Sequence, residues 1–179
     1  ENFAKQYKQK INLPFNCFLR LDMINDDMLQ LLKYAGCFSV HVSIDSTSEH
    51  IRQNILNRQM KRINIIQQML MIKKYNINTY VNFMLAIPGS TLQDDLDTIR
   101  YGKDGKATYT SYTTTQPMLK TDLYKYCMKN NLIPSNYYGD LSNTMGKSDL
   151  LCFSKKDKDI RYNILLLGAI IAKMPFPID

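Results

Sequence analysis

Ile77-Asn78-Thr79-Tyr80-Val81-Asn82-Phe83-Met84-Leu85-Ala86-Ile87, followed at once by Pro88-Gly89, alternates without a break. Ile77, Thr79, Val81, Phe83, Leu85 and Ile87 fall on one side and Asn78, Tyr80, Asn82, Met84 and Ala86 on the other, which is the period of a β-strand. Pro88-Gly89 ends it, and Thr91 is placed to cap a helix carrying Leu92, Leu96 and Ile99. A strand that runs directly into a helix is half of a parallel crossover, so the flanking sequence decides whether the unit repeats.

The unit repeats on both sides. Upstream, residues 15–21 read as a strand, and Asn25-Asp26-Asp27 supplies an N-cap and an acidic first turn for a helix stopping at Gly36. Residues 38–44 form a second strand, with Ser46-Thr47-Ser48-Glu49 as a capping box for a helix through Ile51, Ile55 and Leu56. A helix is expected from Arg62 to Tyr75, with Asn76 as its left-handed stop. Downstream, the Thr- and Tyr-rich stretch 108–116 is a strand by propensity, and Thr121 caps a helix over residues 122–130. Residues 135–156 read as irregular and polar. A last helix, residues 157–173, presents Ile160, Ile164, Leu167, Ile170 and Ile171 before Pro175 and Pro177 stop it.

Four strand–helix alternations give an α/β fold. Four units cannot close an eight-stranded barrel, so the sheet is expected to be open or to be completed by units preceding Glu1, where the chain starts without Met. With 179 residues and 45% hydrophobic content there is enough for one core. The excess of 23 Lys and Arg over 16 Asp and Glu leaves +7, but the charges are scattered, which favours solubility over a nucleic-acid footprint. No two of Cys17, Cys37, Cys127 and Cys152 are closer than 20 positions, so no pair has CxxC spacing and no metal site is expected. Free thiols of a cytoplasmic protein are the expected reading. The longest apolar run, Ile164 to Ala172, has nine residues, half of what a membrane span requires.

Parallel strands covered by helices should be apolar toward those helices. Val40, Val42 and Ile44 satisfy this, leaving Ser39, His41, Ser43 and Asp45 on the opposite face. Arg20 and Asp22 likewise share a face, as do Asn78, Tyr80 and Asn82. Polar faces on three successive strands suggest either a lumen that receives a polar ligand near the C-terminal strand ends or a hydrogen-bonded polar core.

Four segments, in order, resemble the cobalamin-associated radical S-adenosylmethionine (SAM) enzymes. Leu13-Pro14-Phe15 through Arg20-Leu21-Asp22, with Asp27, Leu32 and Ala35-Gly36-Cys37, is similar to the family's Arg-bearing strand and the helix ending in Ala-Gly-Cys. Val40-His41-Val42-Ser43-Ile44-Asp45-Ser46 resembles its G-x-E-S strand end, and Arg52 with Leu56-Asn57-Arg58 its R…LNR stretch. Asn82 to Thr91 resembles N-F-M-x-G-x-P-G-E-T, and Gln116 to Tyr124 resembles P-x-P-G-T-x-L-Y, leading into Asn130-Asn131-Leu132-Ile133 in place of N-G-L. The match spans residues 10–134, and its order and spacing are more specific than any one piece.

The resemblance implies a partial (β/α)6 TIM-like barrel, incomplete at its N-terminus, of which this chain holds the last four βα units plus a C-terminal helix. Residues 1–134 would be the C-terminal portion of the radical SAM barrel, and 135–179 an irregular connection and a helix packing on or following it. It also implies an enzyme in which SAM lies beside a 4Fe-4S cluster held by a CxxxCxxC loop upstream and yields a 5'-deoxyadenosyl radical, for cobalamin-type methyl transfer or related C–H modification. Implied partners are the upstream cluster-binding part of the same polypeptide, a cobalamin-binding domain, and a reductant such as flavodoxin or ferredoxin.

Carried over residue by residue, the resemblance makes Asp45 (Glu in much of the family) and Ser43 acceptors for the ribose or amino group of SAM, with helix capping as the alternative for Asp45. Arg58 would pair with the SAM carboxylate, or else be a solvated surface Arg. Asn82, Met84, Ala86 and Ile87 would line the adenine site. Arg20 would reach the cofactor or a substrate anion, or form a structural pair with Asp22. His41 reads as a core histidine rather than an acid or base. No catalytic residue is identified. Ala86 stands where the family has Gly, Ser90 where it has Glu, and Leu119-Lys120 where it has Pro-Gly. A tRNA methylthiotransferase-like enzyme and a non-catalytic barrel serving as a binding module are the competing readings.

Overall fold

The computed structural model describes residues 1–60, 63–139 and 141–176, apart from the side chains of residues 141 and 142. Its elements are α1 (Asn2–Lys10), β1 (Phe15–Leu19), α2 (Asp26–Ala35), β2 (Cys37–Asp45), α3 (Ile65–Lys74), β3 (Asn78–Leu85), α4 (Leu92–Asp104), β4 (Tyr109–Thr114), α5 (Asp122–Lys129) and α6 (Lys155–Ile171). The four strands are parallel and lie in the order β1-β2-β3-β4. Crossovers that always advance the same way, with one hand, keep their helices on a single face of the sheet. That is the winding of a barrel sector, and it leaves the opposite face open.

The helix-facing side is the core. Val40, Val42 and Ile44 of β2, and Val81, Phe83 and Leu85 of β3, pack with Leu29, Met69, Ile72, Ile99 and Ile164 from the helices. Phe83 is fully buried and stacks on Tyr112 with ring centroids 5.8 Å apart. Each such side chain contributes roughly 1.5–3 kcal/mol on burial. Both expected face assignments, for β2 and for β3, hold, because strand alternation leaves no other way to bury the branched residues.

Local start and stop signals also act as their residue types dictate. Asn25 accepts the Met28 N–H at 2.9 Å and Gly36 closes α2 at φ 101°. Thr91 and Asp94 form a reciprocal capping box on α4, and Thr121 caps α5. Asn76 takes the left-handed conformation after α3 at φ 51°.

Other expectations need correction. The first strand stops at Leu19, because Leu21–Met23 turns as a 3-10 segment that buries Leu21. The capping box at Ser46 does not form: Ser46 Oγ accepts from Ser48 N–H, and a short π-helical turn, Ile51–Ile55, follows. The helix expected from Arg62 begins at Ile65 under the Asn64 cap, and Arg62 lies outside the described residues. The pattern of the sequence does not announce α1, whose single buried residue, Ala4, leaves too narrow an apolar stripe.

The buried stripe of α6 is Arg161, Ile164, Leu165 and Gly168, continued by Ala172 at the C-cap, whereas Leu167 and Ile170 are exposed. A Cβ on Gly168 would stand 2.9 Å from the Tyr112 ring. The glycine therefore lets α6 approach β4 on that side; Ile160, Ile164 and Ile171 of the expected stripe pack on the core, while Leu167 and Ile170 do not.

Candidate functional site

The open face of the sheet carries the polar and aromatic residues. Register places Phe18, His41 and Tyr80 side by side, then Tyr109, and their rings form a ladder with centroids 4.9, 4.7 and 4.8 Å apart. His41 is thus half-buried in an aromatic row on the open face, not inside the core. One pleat further toward the C-terminal ends, Ser43, Asn82 and Ser111 form the next row.

At the end of that row, three candidate residues meet. Asp45, buried and in the left-handed region at φ 64°, accepts from Ser43 Oγ at 2.5 Å and is ion-paired to the Arg58 guanidinium. Arg58 also donates to the Ser43 carbonyl at 3.0 Å. Asp45 and Arg58, 13 positions apart, close a loop, and Arg52, buried within it, donates to the carbonyls of Ser46 and Thr47 at 2.6 and 2.9 Å. Asp45 caps no helix here: its carboxylate accepts from Ser43 and Arg58. Arg58, about one-third exposed, is held in this pair rather than free in solvent. Arg20 takes the structural option: it grips Asp22 with two bonds of 3.1 and 2.9 Å and donates to the Gln59 carbonyl at 2.6 Å. It thereby ties the end of β1 to the segment that carries Arg58, acting one step removed from the Asp45 cluster.

On the next strand, Met84 lies half-buried on the open face, and Ala86 and Ile87 are buried in the turn leaving β3. Ala86 adopts φ 57°, a conformation costing a non-glycine residue roughly 1–2 kcal/mol. Its N–H donates at 2.9 Å to Asp95, in the first turn of α4. Asp95 in turn pairs with Arg161 of α6. Burial pushes the Asp95 carboxyl up to about 6, against the downward pull of Arg161 and of the Ala86 N–H.

Neither Asp95 nor Arg161 belongs to the motifs that single out the other candidates. The signal that marks them is different: each is a charged residue inside a buried helical stripe, Asp95 with Thr98, Ile99 and Gly102, Arg161 with Ile164, Leu165 and Gly168. Opposite charges in two buried stripes must find partners, and here they find one another.

Ser43, Asp45, Arg58 and Asn82 form a donor and acceptor set suited to a ligand bearing an ammonium, a carboxylate and ribose hydroxyls. The carboxylate of Asp45 retains acceptor capacity beyond its two present bonds, and Arg58 is about one-third exposed, so it has donors to offer. The residues therefore fit SAM. They do not fit an iron–sulfur cluster: among the described residues no three His, Cys, Asp or Glu converge on one point. The Cys17 and Cys37 sulfurs lie 3.9 Å apart without a third thiol, and burial pushes the Cys37 thiol up to about 12 and the Cys127 thiol up to about 11, away from the thiolate a cluster needs. Incubating the 179-residue chain with iron and sulfide under reducing conditions should give no stoichiometric cluster absorbance. A full complement of 4Fe-4S per chain would overturn this.

Comparison with known proteins follows the same lines. The family model of the radical SAM superfamily matches residues 3–102. An uncharacterized methyltransferase of Pyrococcus horikoshii is 22% identical over 126 residues, which is 70% of this chain and 27% of that protein. The chain therefore spans about a quarter of the length of this relative. Coproporphyrinogen III oxidase (HemN) from Escherichia coli, described as a radical SAM enzyme, superposes with a TM-score of 0.62 at 13% identity over 93% of this chain and 35% of its own. The radical SAM methyltransferase TsrM from Kitasatospora setae, solved with cobalamin and a [4Fe-4S] cluster bound, superposes with a TM-score of 0.55 at 15% identity, covering 63% of this chain and 22% of its own. These likenesses confirm the barrel-type α/β fold. Among the described residues no helix is long and apolar enough to cross a membrane.

Proposed function

Since this chain belongs to the radical SAM superfamily, whose members use SAM and a 4Fe-4S cluster, we propose that it is the sector of a longer radical SAM enzyme that holds SAM, and that the reaction is a cobalamin-type methyl transfer. The observation that carries this reading is the Ser43–Asp45–Arg58 cluster at the C-terminal end of β2, beside Asn82 and the left-handed Ala86 turn of β3. Barrel enzymes place their ligands at that end of the strands. Methyl transfer is favoured by the likeness to the archaeal methyltransferase and to TsrM.

When bound, SAM supplies the radical or methyl-donor chemistry, and the protein supplies position. Asp45 and Ser43 accept from the ammonium and ribose hydroxyls. Arg58 would hold the carboxylate, for which a planar fork is the suited donor. Asn82 offers its amide from the adjacent strand, while the apolar surface of Met84, Ala86 and Ile87 packs on the adenine. The cluster ligands, the cobalamin-binding domain and the site for a flavodoxin or ferredoxin reductant are assigned to the rest of the polypeptide.

Calorimetric titration of the full polypeptide with SAM tests the reading. One-to-one binding, with S-adenosylhomocysteine competing and adenosine alone much weaker, is the expected result. Absence of any binding heat would leave the barrel as a non-catalytic binding module.

A further inference from the structure

The turn that leaves β3 is held from a distance by α6. Arg161, 4% exposed, ion-pairs with the Asp95 carboxylate and donates to Ser90 Oγ at 3.2 Å and to the Ser90 carbonyl at 3.1 Å. Asp95, 2% exposed, accepts the Ala86 N–H at 2.9 Å. The Arg161 guanidinium is itself oriented by the Phe153 ring, 4.2 Å below it. One charged pair thus grips both ends of the Ala86–Ser90 turn, which the Ser90 N–H closes on the Ile87 carbonyl at 2.9 Å. A left-handed alanine and a left-handed Gly89 at φ 83° are strained or entropically costly choices that such a grip can hold.

A packing role alone would be served as well by two apolar side chains. Replacing a buried ion pair by apolar residues is often neutral or stabilising. What apolar residues cannot do is accept from the Ala86 N–H and donate to the Ser90 carbonyl. We infer that Arg161 and Asp95 are positioning residues for cofactor binding: through the Ala86–Ser90 turn, the C-terminal helix sets the shape of the adenine-facing wall. This rests on the reading that the site binds SAM. It makes the segment beyond the matched family region, α6 included, part of the site rather than an appendage.

The test uses the full polypeptide and the paired variant Asp95→Leu with Arg161→Met, because either single change would strand a buried charge and could unfold the protein. The double variant should still fold cooperatively, its thermal midpoint lowered by only a few degrees through the loss of the two turn bonds. Its dissociation constant for SAM should rise on the order of tenfold, the worth of one well-placed hydrogen bond. Hydrogen exchange of the peptide spanning Ala86 to Ser90 should accelerate by a similar factor, about tenfold, while core strands are unaffected. Unchanged exchange in a folded double variant would refute the grip. Faster exchange with unchanged affinity would refute the positioning role. If the unaltered protein binds no SAM, the reading under Proposed function falls and the positioning role with it, whereas the exchange comparison still decides whether the pair holds the turn.

Discussion

Asp45→Ala should abolish most SAM binding, raising the dissociation constant by about 100-fold, while leaving the fold intact. Two charge-assisted contacts to the ligand are lost at roughly 1.5 kcal/mol or more each, and every 1.4 kcal/mol is a factor of ten. Stability should suffer less. Arg58 is about one-third exposed, so water screens the pair and the orphaned guanidinium can turn to solvent. Asp45→Glu separates charge from size: if the carboxylate is what matters, affinity should stay within about tenfold of the original, because the longer arm still delivers an acceptor. Titration calorimetry on the three proteins checks this, and an Asp45→Ala protein that binds within about threefold of the original would end the role assigned to this residue.

Phe83→Ala should cost about 3–5 kcal/mol, the largest stability effect expected of a change to an apolar core residue of this chain. Phe83 is fully buried at the centre of β3, between the helices on one side and Tyr112 on the same face of β4. Neighbours on a hydrogen-bonded strand cannot close in on the void, so the cavity term adds to the lost transfer energy. Set against a typical total of roughly 5–15 kcal/mol, the change removes about a fifth of it or more. Phe83→Leu, which keeps most of the volume, should cost only about 1–1.5 kcal/mol. Urea midpoints of the three proteins provide the measurement. A loss below about 1.5 kcal/mol for the alanine variant would mean that the core collapses around the site, and that the sheet is less rigid than its close packing implies.

The strand face of Phe83 is legible in the order of amino acids, since in a half-buried strand the side that holds Val, Ile and Phe must be the inner one. Asp45 is legible as a strand-end residue, but its final place is not: the register shifts after Ser43, so that Asp45 pairs opposite Phe83 in the left-handed region. The caps at Asn25, Thr91 and Thr121 are equally legible, because a cap satisfies backbone donors within three residues of itself. The resemblance to a known family points to Asp45, Ser43 and Arg58 as ligand-binding candidates, yet it does not contain the fact that Arg58 rests on Asp45. Nor does it place Arg20 on Asp22 and the Gln59 carbonyl rather than in the site.

Strand and helix alternation, the parallel order of the sheet, the faces of β2 and β3 and the caps at Asn25, Thr91 and Thr121 were determined by sequence alone. They follow from interactions spanning one turn or one pleat, which the local order of residues encodes. Only the tertiary structure decided which side of α6 faces the sheet, and that Arg161 meets Asp95 across 66 positions to hold the Ala86 turn. Those outcomes depend on how closely two elements approach, and here the approach is set by a single missing side chain at Gly168 against the Tyr112 ring, a contact that no periodicity records.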